Sequence, residues 1–227
     1  IKIVTTIFMK ILILALPRTG STSLLRKIQK QKYIGFFEPY GLPAKKKYNY
    51  PYPLKELSEN KNIVVKQMIC DIPNVNDFPI EFFPHPHVNP TLYALQQFDL
   101  TKYFDKVILL DRKDTIEHLE SYIHVLYKLD KNELVHSKWQ KNDVPKEWAE
   151  KIIKQNKHNQ FYIMKSEILL LSKKLNIDIT WYEDLFGNDR KKSLDIIKSW
   201  NLDLDSNQLN EDLHPKNKYL ITSKTLL

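Results

Sequence analysis

The stretch from Lys10 to Lys27 constrains the fold of this chain more than any other segment. Residues 11–16 form an apolar run with the length and composition of a buried strand. The polar turn that follows, PRTGSTS, leads directly into a segment whose apolar residues have helical spacing. Such a turn presents backbone N–H groups at the positive end of a helix, and Arg18 adds a forked cation. The sequence therefore predicts an anion-binding site at the first strand-to-helix turn.

This loop differs from two common phosphate-binding motifs. The pattern G-x-x-x-x-G-K-[ST] requires a second glycine and a lysine on the phosphates, whereas this turn has one glycine, Gly20, and its cation, Arg18, precedes that glycine. The dinucleotide-binding pattern G-x-G-x-x-G is absent from the loop as well. Kinase or GTPase chemistry is therefore not predicted. An ordinary strand–turn–helix with a Ser or Thr N-cap is the alternative interpretation.

Five apolar runs of strand length recur along the chain, at residues 11–16, 33–37, 63–69, 107–110 and 177–181. Segments with helical spacing lie at residues 22–32, 91–104, 115–129, 146–175, where a break is expected near Asn159, and 190–200. Strands that alternate with helices predict an α/β, P-loop-like three-layer fold with a central, mainly parallel sheet flanked by helices. Ligands of such sheets bind at the carboxyl ends of strands, where the first turn would lie.

The length of 227 residues and the hydrophobic fraction of 42% fit a single domain spanning residues 1–227. Two connections, residues 41–61 and 71–90, are longer than usual and contain several prolines, which favours binding loops or lids. Their aromatic side chains either stack on a sugar or an aromatic ring or pack beneath the loops: Tyr48, Tyr50, Tyr52, Phe82 and Phe83.

The formal net charge of +8 favours an anionic partner. The lysines are spread along the chain, with one tight run at residues 45–47, and the sequence has neither zinc-finger spacing nor an aromatic RNA-binding signature. A small polyanion is therefore expected rather than nucleic acid. Two histidines in a Pro-rich segment, His85 and His87, suggest either a metal site or a base. No third ligand has recognisable spacing, so no metal is predicted.

Cysteine usage and hydropathy predict a cytoplasmic protein without a membrane partner. Cys70 is the single cysteine, which excludes a disulfide within the chain and fits a reducing compartment. Lys10 interrupts the apolar start, so residues 1–16 do not resemble a signal peptide, and no run approaches about 18 apolar residues. Met9 stands directly before the first strand and is expected to be the natural start, unless the front end has been trimmed.

Further chemistry is predicted where other strands end. The run at residues 107–110 is followed by Arg112 and then by a helix that carries Ser121. An arginine at a strand end can form a fork with a phosphate, and a hydroxyl two to three turns into the helix can return beside it. The alternative for Arg112 is a surface ion pair. Lys66 lies in the middle of a strand, where a lysine either reaches the site or snorkels at an edge.

Glu38 is the candidate general base. It follows the second strand among aromatic residues, whose desolvating effect would raise the pKa of its carboxyl group toward neutrality. A carboxylate of this kind can accept the proton of an attacking hydroxyl. The alternative is a carboxylate at a strand end with a structural partner.

The loop motif resembles P-[KR]-[ST]-G-[ST]-[ST], the 5′-phosphosulfate loop of sulfotransferases that use 3′-phosphoadenosine-5′-phosphosulfate (PAPS). That resemblance implies that the phosphosulfate is wrapped by Arg18, Thr19, Gly20, Ser21, Thr22 and Ser23. It also implies that Arg112 and Ser121 bind the 3′-phosphate. Their spacing of nine resembles the R-R-[DN]…S version of bacterial carbohydrate sulfotransferases, with Lys113 in place of the second arginine.

The resemblance extends to the candidate base. Glu38 lies 20 residues after Arg18, the distance at which tyrosylprotein and heparan-type sulfotransferases place their catalytic glutamate. Cytosolic sulfotransferases instead carry a K-x-H strand with a histidine base. Here Met68 stands at that histidine position, so a histidine base from this strand is not expected. Lys66 would steady the acceptor or the bridging oxygen.

Two further segments resemble the family. The acidic pair of Tyr182-Glu183-Asp184-Leu185 is expected to cap the next turn and orient the loop, without a catalytic role. In the basic C-terminal segment, Lys216 and Lys218 are expected to close over the 3′-phosphate.

The implied reaction moves a sulfuryl group from PAPS to a hydroxyl of a carbohydrate or another small or peptidic acceptor. It leaves 3′,5′-ADP and requires no metal. Two alternatives remain open at this point. One is a different P-loop-like phosphotransferase, and the other is a non-catalytic protein that binds polyanions or nucleic acid.

Overall fold

The computed structural model describes residues 9–37, 61–69, 103–131, 144–155 and 159–204. The strands and helices in these ranges are β1 (Lys10–Ala15), α1 (Ser21–Gln29), β2 (Ile34–Phe37), β3 (Ile63–Met68), β4 (Lys106–Asp111), α2 (Thr115–Asp130), α3 (Lys146–Lys154), α4 (Asn159–Leu175), β5 (Ile179–Trp181), α5 (Tyr182–Phe186) and α6 (Arg190–Ser199).

The strands form one parallel sheet in the order β2-β3-β1-β4-β5. Ala15, the last residue of β1, pairs with Met68 on one side and with Leu110 on the other. The carboxyl ends of the three central strands therefore share one edge. Between β3 and β4 the chain passes from one side of β1 to the other, and sheets of this kind bind ligands where such a reversal occurs.

Alternate residues of β1 supply two separate hydrophobic layers. Leu12 and Leu14 face the layer that contains α2, α3 and α4, while Ile11 and Ile13 face the layer that contains α1, α5 and α6. All four side chains are completely buried, and each such burial contributes about 1.5–3 kcal/mol. A strand buried on both faces needs a continuous apolar run, which is why the sequence of β1 shows no alternation.

The predicted α/β class, with a parallel sheet between helices, is confirmed. Each predicted strand is present with ends shifted by at most two residues, and the helical segment at residues 146–175 is indeed divided before Asn159. α5 was not predicted. Within the described ranges, no helix combines the length and the hydrophobicity needed to cross a membrane.

Several predictions fall on residues outside the described ranges. They concern residues 1–8, the loop at 71–90, the loop at 41–61 except Lys61, and the helix at 91–104 except its last two residues. The single residues concerned are Glu38, Cys70, Lys216, Lys218, His85, His87, Tyr48, Tyr50, Tyr52, Phe82 and Phe83.

Candidate anion-binding site

The loop between β1 and α1 makes a sharp turn with two left-handed residues. Arg18 has a φ of 66° and Gly20 a φ of 75°. Between them, the buried Thr19 hydroxyl donates to the Leu16 carbonyl at 2.8 Å and closes the turn. The hydroxyl of Thr19 therefore fixes the loop. A left-handed arginine is uncommon, and such residues cluster at functional sites because the surrounding structure has to hold them.

Gly20 is the N-cap of α1, and its surroundings leave no room for a side chain. A Cβ atom there would lie 2.7 Å from Phe186 Cε2 and 3.2 Å from Tyr182 Cδ2, so α5 packs directly on the loop. The alternative of an ordinary Ser or Thr N-cap is wrong, because the N-cap residue is glycine and α1 has no side-chain cap. The first turn of α1 also lacks acidic residues. The positive end of this helix thus remains suited to an anion.

The remaining predicted residues of the loop form the first turn of α1. Ser21 is buried, and Thr22 and Ser23 are half-buried. The Thr22 hydroxyl accepts a hydrogen bond from Lys66 Nζ at 3.1 Å. Lys66 is buried on β3 with its side chain on the α1 side of the sheet, so it is a residue of the site and does not snorkel at an edge.

The first loop is joined to α2 by a contact between residues 103 positions apart. Arg18 Nε donates to Ser121 Oγ at 3.2 Å. Ser121 lies in the second turn of α2, and its hydroxyl accepts this hydrogen bond from Arg18. The contact brings together the two sequence segments that were each predicted to bind a phosphate.

Arg112 follows β4 and is buried, with 8% of its side chain exposed. Its Nη2 lies 2.6 Å from Glu117 Oε1, and its guanidinium stacks 4.5 Å above the centre of the Tyr182 ring. Its Nε lies 3.7 Å from Glu183 Oε1, beyond hydrogen-bond distance, and has no hydrogen-bond partner within the described residues. Arg112 therefore does form an ion pair, as the alternative interpretation expected, but its guanidinium is buried and does not lie at the surface. The Glu183 carboxylate partly offsets by its charge the cost of leaving this buried donor without a hydrogen bond, and an additional acceptor would offset it further.

Burial and like charge disfavour the protonated form of Arg18. Burial, followed by the positive charge of Arg112, lowers the pKa of Arg18 to about 10. Burial also raises the pKa of Tyr182, helped by the carboxylates of Glu117 and Glu183 and opposed by the two arginines. Two guanidinium groups thus lie close enough to repel each other. A bound anion with more than one negative charge would relieve this repulsion.

A buried polar network lies beneath the two arginines. His118 Nε2 donates to the Pro17 carbonyl at 2.7 Å, and His118 Nδ1 lies 3.4 Å from Asp111 Oδ1. Lys165 Nζ donates to both oxygens of Asp111 at 2.9 and 2.8 Å and to the Arg112 carbonyl at 2.7 Å. The network therefore fixes the backbone directly before Arg18 and at Arg112. It sets the relative position of the two cations.

The charges of this network follow from its burial. Burial alone would raise the pKa of Asp111, but contacts with His118 and Lys165 lower it below the ordinary value. Burial lowers the pKa of His118, an effect that outweighs the opposing contacts with Asp111 and Pro17. Burial, together with the nearby ammonium of Lys165, thus disfavours the protonated form of His118.

The acidic pair at the start of α5 holds the turn after β4. Glu183 Oε2 accepts from the Lys113 N–H at 2.8 Å and Glu183 Oε1 from the Asp114 N–H at 3.4 Å. Asp184 Oδ1 forms ion pairs with Lys113 Nζ at 2.7 Å and Lys192 Nζ at 3.0 Å. Glu183 and Asp184 therefore orient the turn after β4. The turn that follows the pair is capped by a different residue, because the side chain of Asp189 caps α6.

The structure adds residues that the sequence did not indicate. Of these residues, only Glu117 had a usable signal in the sequence, because it lies four positions before Ser121 and therefore on the same face of a helix. The others are joined by contacts across more than fifty sequence positions, or lie in a helix too short for a periodic pattern. The added residues are Asp111, Glu117, His118, Lys165 and Tyr182.

Searches against family models, curated proteins and solved structures found no match to this chain. Within the ranges that the structure describes, no group of three or more His, Cys, Asp or Glu side chains is arranged to hold a metal ion. The function therefore has to be inferred from the chemistry of this site.

Proposed function

We propose that this protein is a PAPS-dependent sulfotransferase that acts on a hydroxyl of a carbohydrate or another small or peptidic acceptor. The observation that carries the proposal is the hydrogen bond from Arg18 to Ser121. It joins a loop suited to one phosphate to the helix that follows a strand end suited to a second. PAPS and its product, 3′,5′-ADP, carry phosphates at both ends of one nucleoside.

The topology supports the proposal. The strand order β2-β3-β1-β4-β5 differs from the 3-2-1-4-5-6 and 2-1-3-4-5 orders of the common doubly wound folds. We assign it to the P-loop-like arrangement, in which the loop after the central strand holds a phosphate. The pairing of β1 with β4 explains why the two arginines, which follow these strands, lie together.

The first loop would hold the 5′-phosphosulfate. The N–H groups of the first turn of α1, together with Arg18, would offset the negative charge that develops on the phosphate as it leaves. Lys66, at the Thr22 hydroxyl, lies beside the same helix end. A cation there can neutralise the bridging oxygen while the sulfuryl group moves.

The reaction would be a direct in-line displacement. The acceptor oxygen forms a bond to sulfur, the bond between sulfur and the bridging phosphate oxygen breaks, and 3′,5′-ADP leaves with the bonding electrons. Glu38 would accept the proton of the hydroxyl. It is the next residue after Phe37, which ends β2 and pairs with Lys66 in the sheet, and it lies outside the described residues.

The second phosphate would be held by Arg112 and Ser121. A buried guanidinium whose Nε has no hydrogen-bond partner among the described residues can donate to a phosphate oxygen, and charge-assisted bonds of this type contribute about 1.5–3 kcal/mol. We place the protein in a reducing, cytoplasmic compartment, since Cys70 is the single cysteine of the sequence.

Calorimetry with 3′,5′-ADP and with 5′-AMP tests the proposal. The wild-type protein should prefer 3′,5′-ADP, and Arg112→Ala should reduce that preference at least about tenfold. Lys198→Ala, which removes an exposed lysine of α6, is the matched control and should change neither affinity. Equal or absent binding of the two nucleotides would refute the PAPS assignment.

Two outcomes would favour the alternatives. Tighter binding of ATP than of 3′,5′-ADP would indicate a phosphotransferase. Oligonucleotide binding that falls steeply with salt, and that Arg112→Ala weakens no more than Lys198→Ala does, would indicate a polyanion-binding protein. As a check on the mechanism, Glu38→Gln should keep the affinity for 3′,5′-ADP and abolish sulfuryl transfer.

A further inference from the structure

One face of α2 presents a carboxylate and a hydroxyl, and each holds one of the two arginines. Ser121 accepts from Arg18 at 3.2 Å, and Glu117, one turn earlier, forms an ion pair with Arg112 at 2.6 Å. Glu117 therefore stands within the cationic cluster itself. The proposed function does not explain a negative charge there.

Glu117 uses a donor that a phosphate would also need. The guanidinium of Arg112 stacks on Tyr182, and its Nη2 is engaged by Glu117. Carboxylate and phosphate oxygens bind the same edge of a guanidinium, and two anions at that edge repel each other. A phosphate that approaches Arg112 thus meets both a competitor for the donor and an unfavourable charge.

The second carboxylate near Arg112 is held in a different way. Glu183 accepts from the N–H groups of Lys113 and Asp114, and it lies 3.7 Å from Arg112. Its position is thus fixed by the backbone of the turn. Glu117 has 31% of its side chain exposed, so it can rotate into solvent without breaking the turn.

We propose that Glu117 occupies Arg112 in the ligand-free protein and is displaced by the 3′-phosphate of the nucleotide. Glu117 is then a specificity-determining residue, because it weakens binding of nucleotides with a 3′-phosphate and does not affect nucleotides without one. This inference rests on the proposed function, which assigns the 3′-phosphate to Arg112.

Calorimetry of Glu117→Gln tests the inference, with 3′,5′-ADP and 5′-AMP as probes. Glutamine keeps the size of the side chain and removes its charge. We expect affinity for 3′,5′-ADP to increase about two- to fivefold, as for a partly exposed charge interaction, with no change for 5′-AMP. Glu150→Gln is the matched control. It removes a carboxylate that pairs with Lys146 at 3.8 Å on α3, and both affinities should stay unchanged.

The outcomes separate the two proposals. Tighter binding of 3′,5′-ADP by Glu117→Gln alone supports both. If the wild-type protein prefers 3′,5′-ADP to 5′-AMP and Glu117→Gln binds it equally or more weakly, Glu117 only positions Arg112 and the inference is wrong while the proposed function stands. If neither protein distinguishes the two nucleotides, both proposals fail.

Discussion

Replacement of Gly20 with alanine tests whether α5 fixes the geometry of the loop. The new Cβ would lie 2.7 Å from Phe186 Cε2 and 3.1 Å from Phe186 Cζ. Phe186 is 3% exposed, so its ring has little room to withdraw. The backbone at residue 20 also has a φ of 75°, which disfavours alanine.

The expected loss of stability follows from these two effects. A left-handed backbone costs an alanine about 1–2 kcal/mol, and overpacking of a buried contact costs about 1–3 kcal/mol. Alanine also reduces the entropy of the unfolded chain, which offsets about 0.4–1 kcal/mol. We therefore expect Gly20→Ala to lower the free energy of unfolding by about 2–4 kcal/mol, a large part of the about 5–15 kcal/mol typical of a domain.

Urea unfolding monitored by circular dichroism measures this loss. Gly35→Ala is the matched control, because a Cβ there would meet the flexible side chain of Gln29, which can turn aside. Its effect should stay below about 1 kcal/mol. Phe186→Leu should relieve part of the clash, so the double variant with Gly20→Ala should show a coupling of about 1–2 kcal/mol. A loss below about 1 kcal/mol for Gly20→Ala, or no coupling, would refute the reasoning.

Two further predictions concern the buried network. Lys165→Met leaves the Asp111 carboxylate buried without its ammonium partner, so it should lower the free energy of unfolding, measured in urea, by about 3–5 kcal/mol. Adding Asp111→Asn should restore part of that loss. Equal stability of Lys165→Met and the wild-type protein would contradict this prediction. Since the pKa of His118 in the fold lies below its ordinary value of 6.5, the unfolded chain binds a proton first on acidification. The free energy of unfolding should therefore decrease as the pH drops below about 6.5. His118→Gln should make that decrease shallower in urea titrations between about pH 7.5 and 5.5. An unchanged slope would argue against a lowered pKa of His118 in the fold.

The layered fold was predictable because its three central strands, β3, β1 and β4, are buried on both faces. A run such as residues 11–16 has no other stable environment in a chain of this size, and its length indicates a strand. β5 begins at Ile179, two residues after the predicted start at Ile177. Asn176 has a φ of 52°, and the Ile177 N–H donates to the Ser172 carbonyl, so this apolar residue belongs to the cap of α4.

The candidate site was predictable only in part. Arg18, Arg112 and Ser121 stood out because strand ends and helix starts concentrate chemistry in parallel sheets. The contact between Arg18 and Ser121, in contrast, depends on how β1 pairs with β4, which no local pattern specifies. Lys165 had no signal at all, because a lysine in an amphipathic helix is ordinarily on the solvent side.

The loop after β1 is held from both faces of the sheet. Pro17 accepts from His118 in one helical layer, while Gly20 packs against Phe186 in the other. Local opening of either layer would release the loop. The free energy needed to open the site therefore cannot exceed the free energy needed to open the less stable of the two layers. A ligand at a hundred times its dissociation constant would add about 2.7 kcal/mol to the folded state. Amide hydrogen exchange should then slow in α2 and in α5 together, although the two helices lie in different layers.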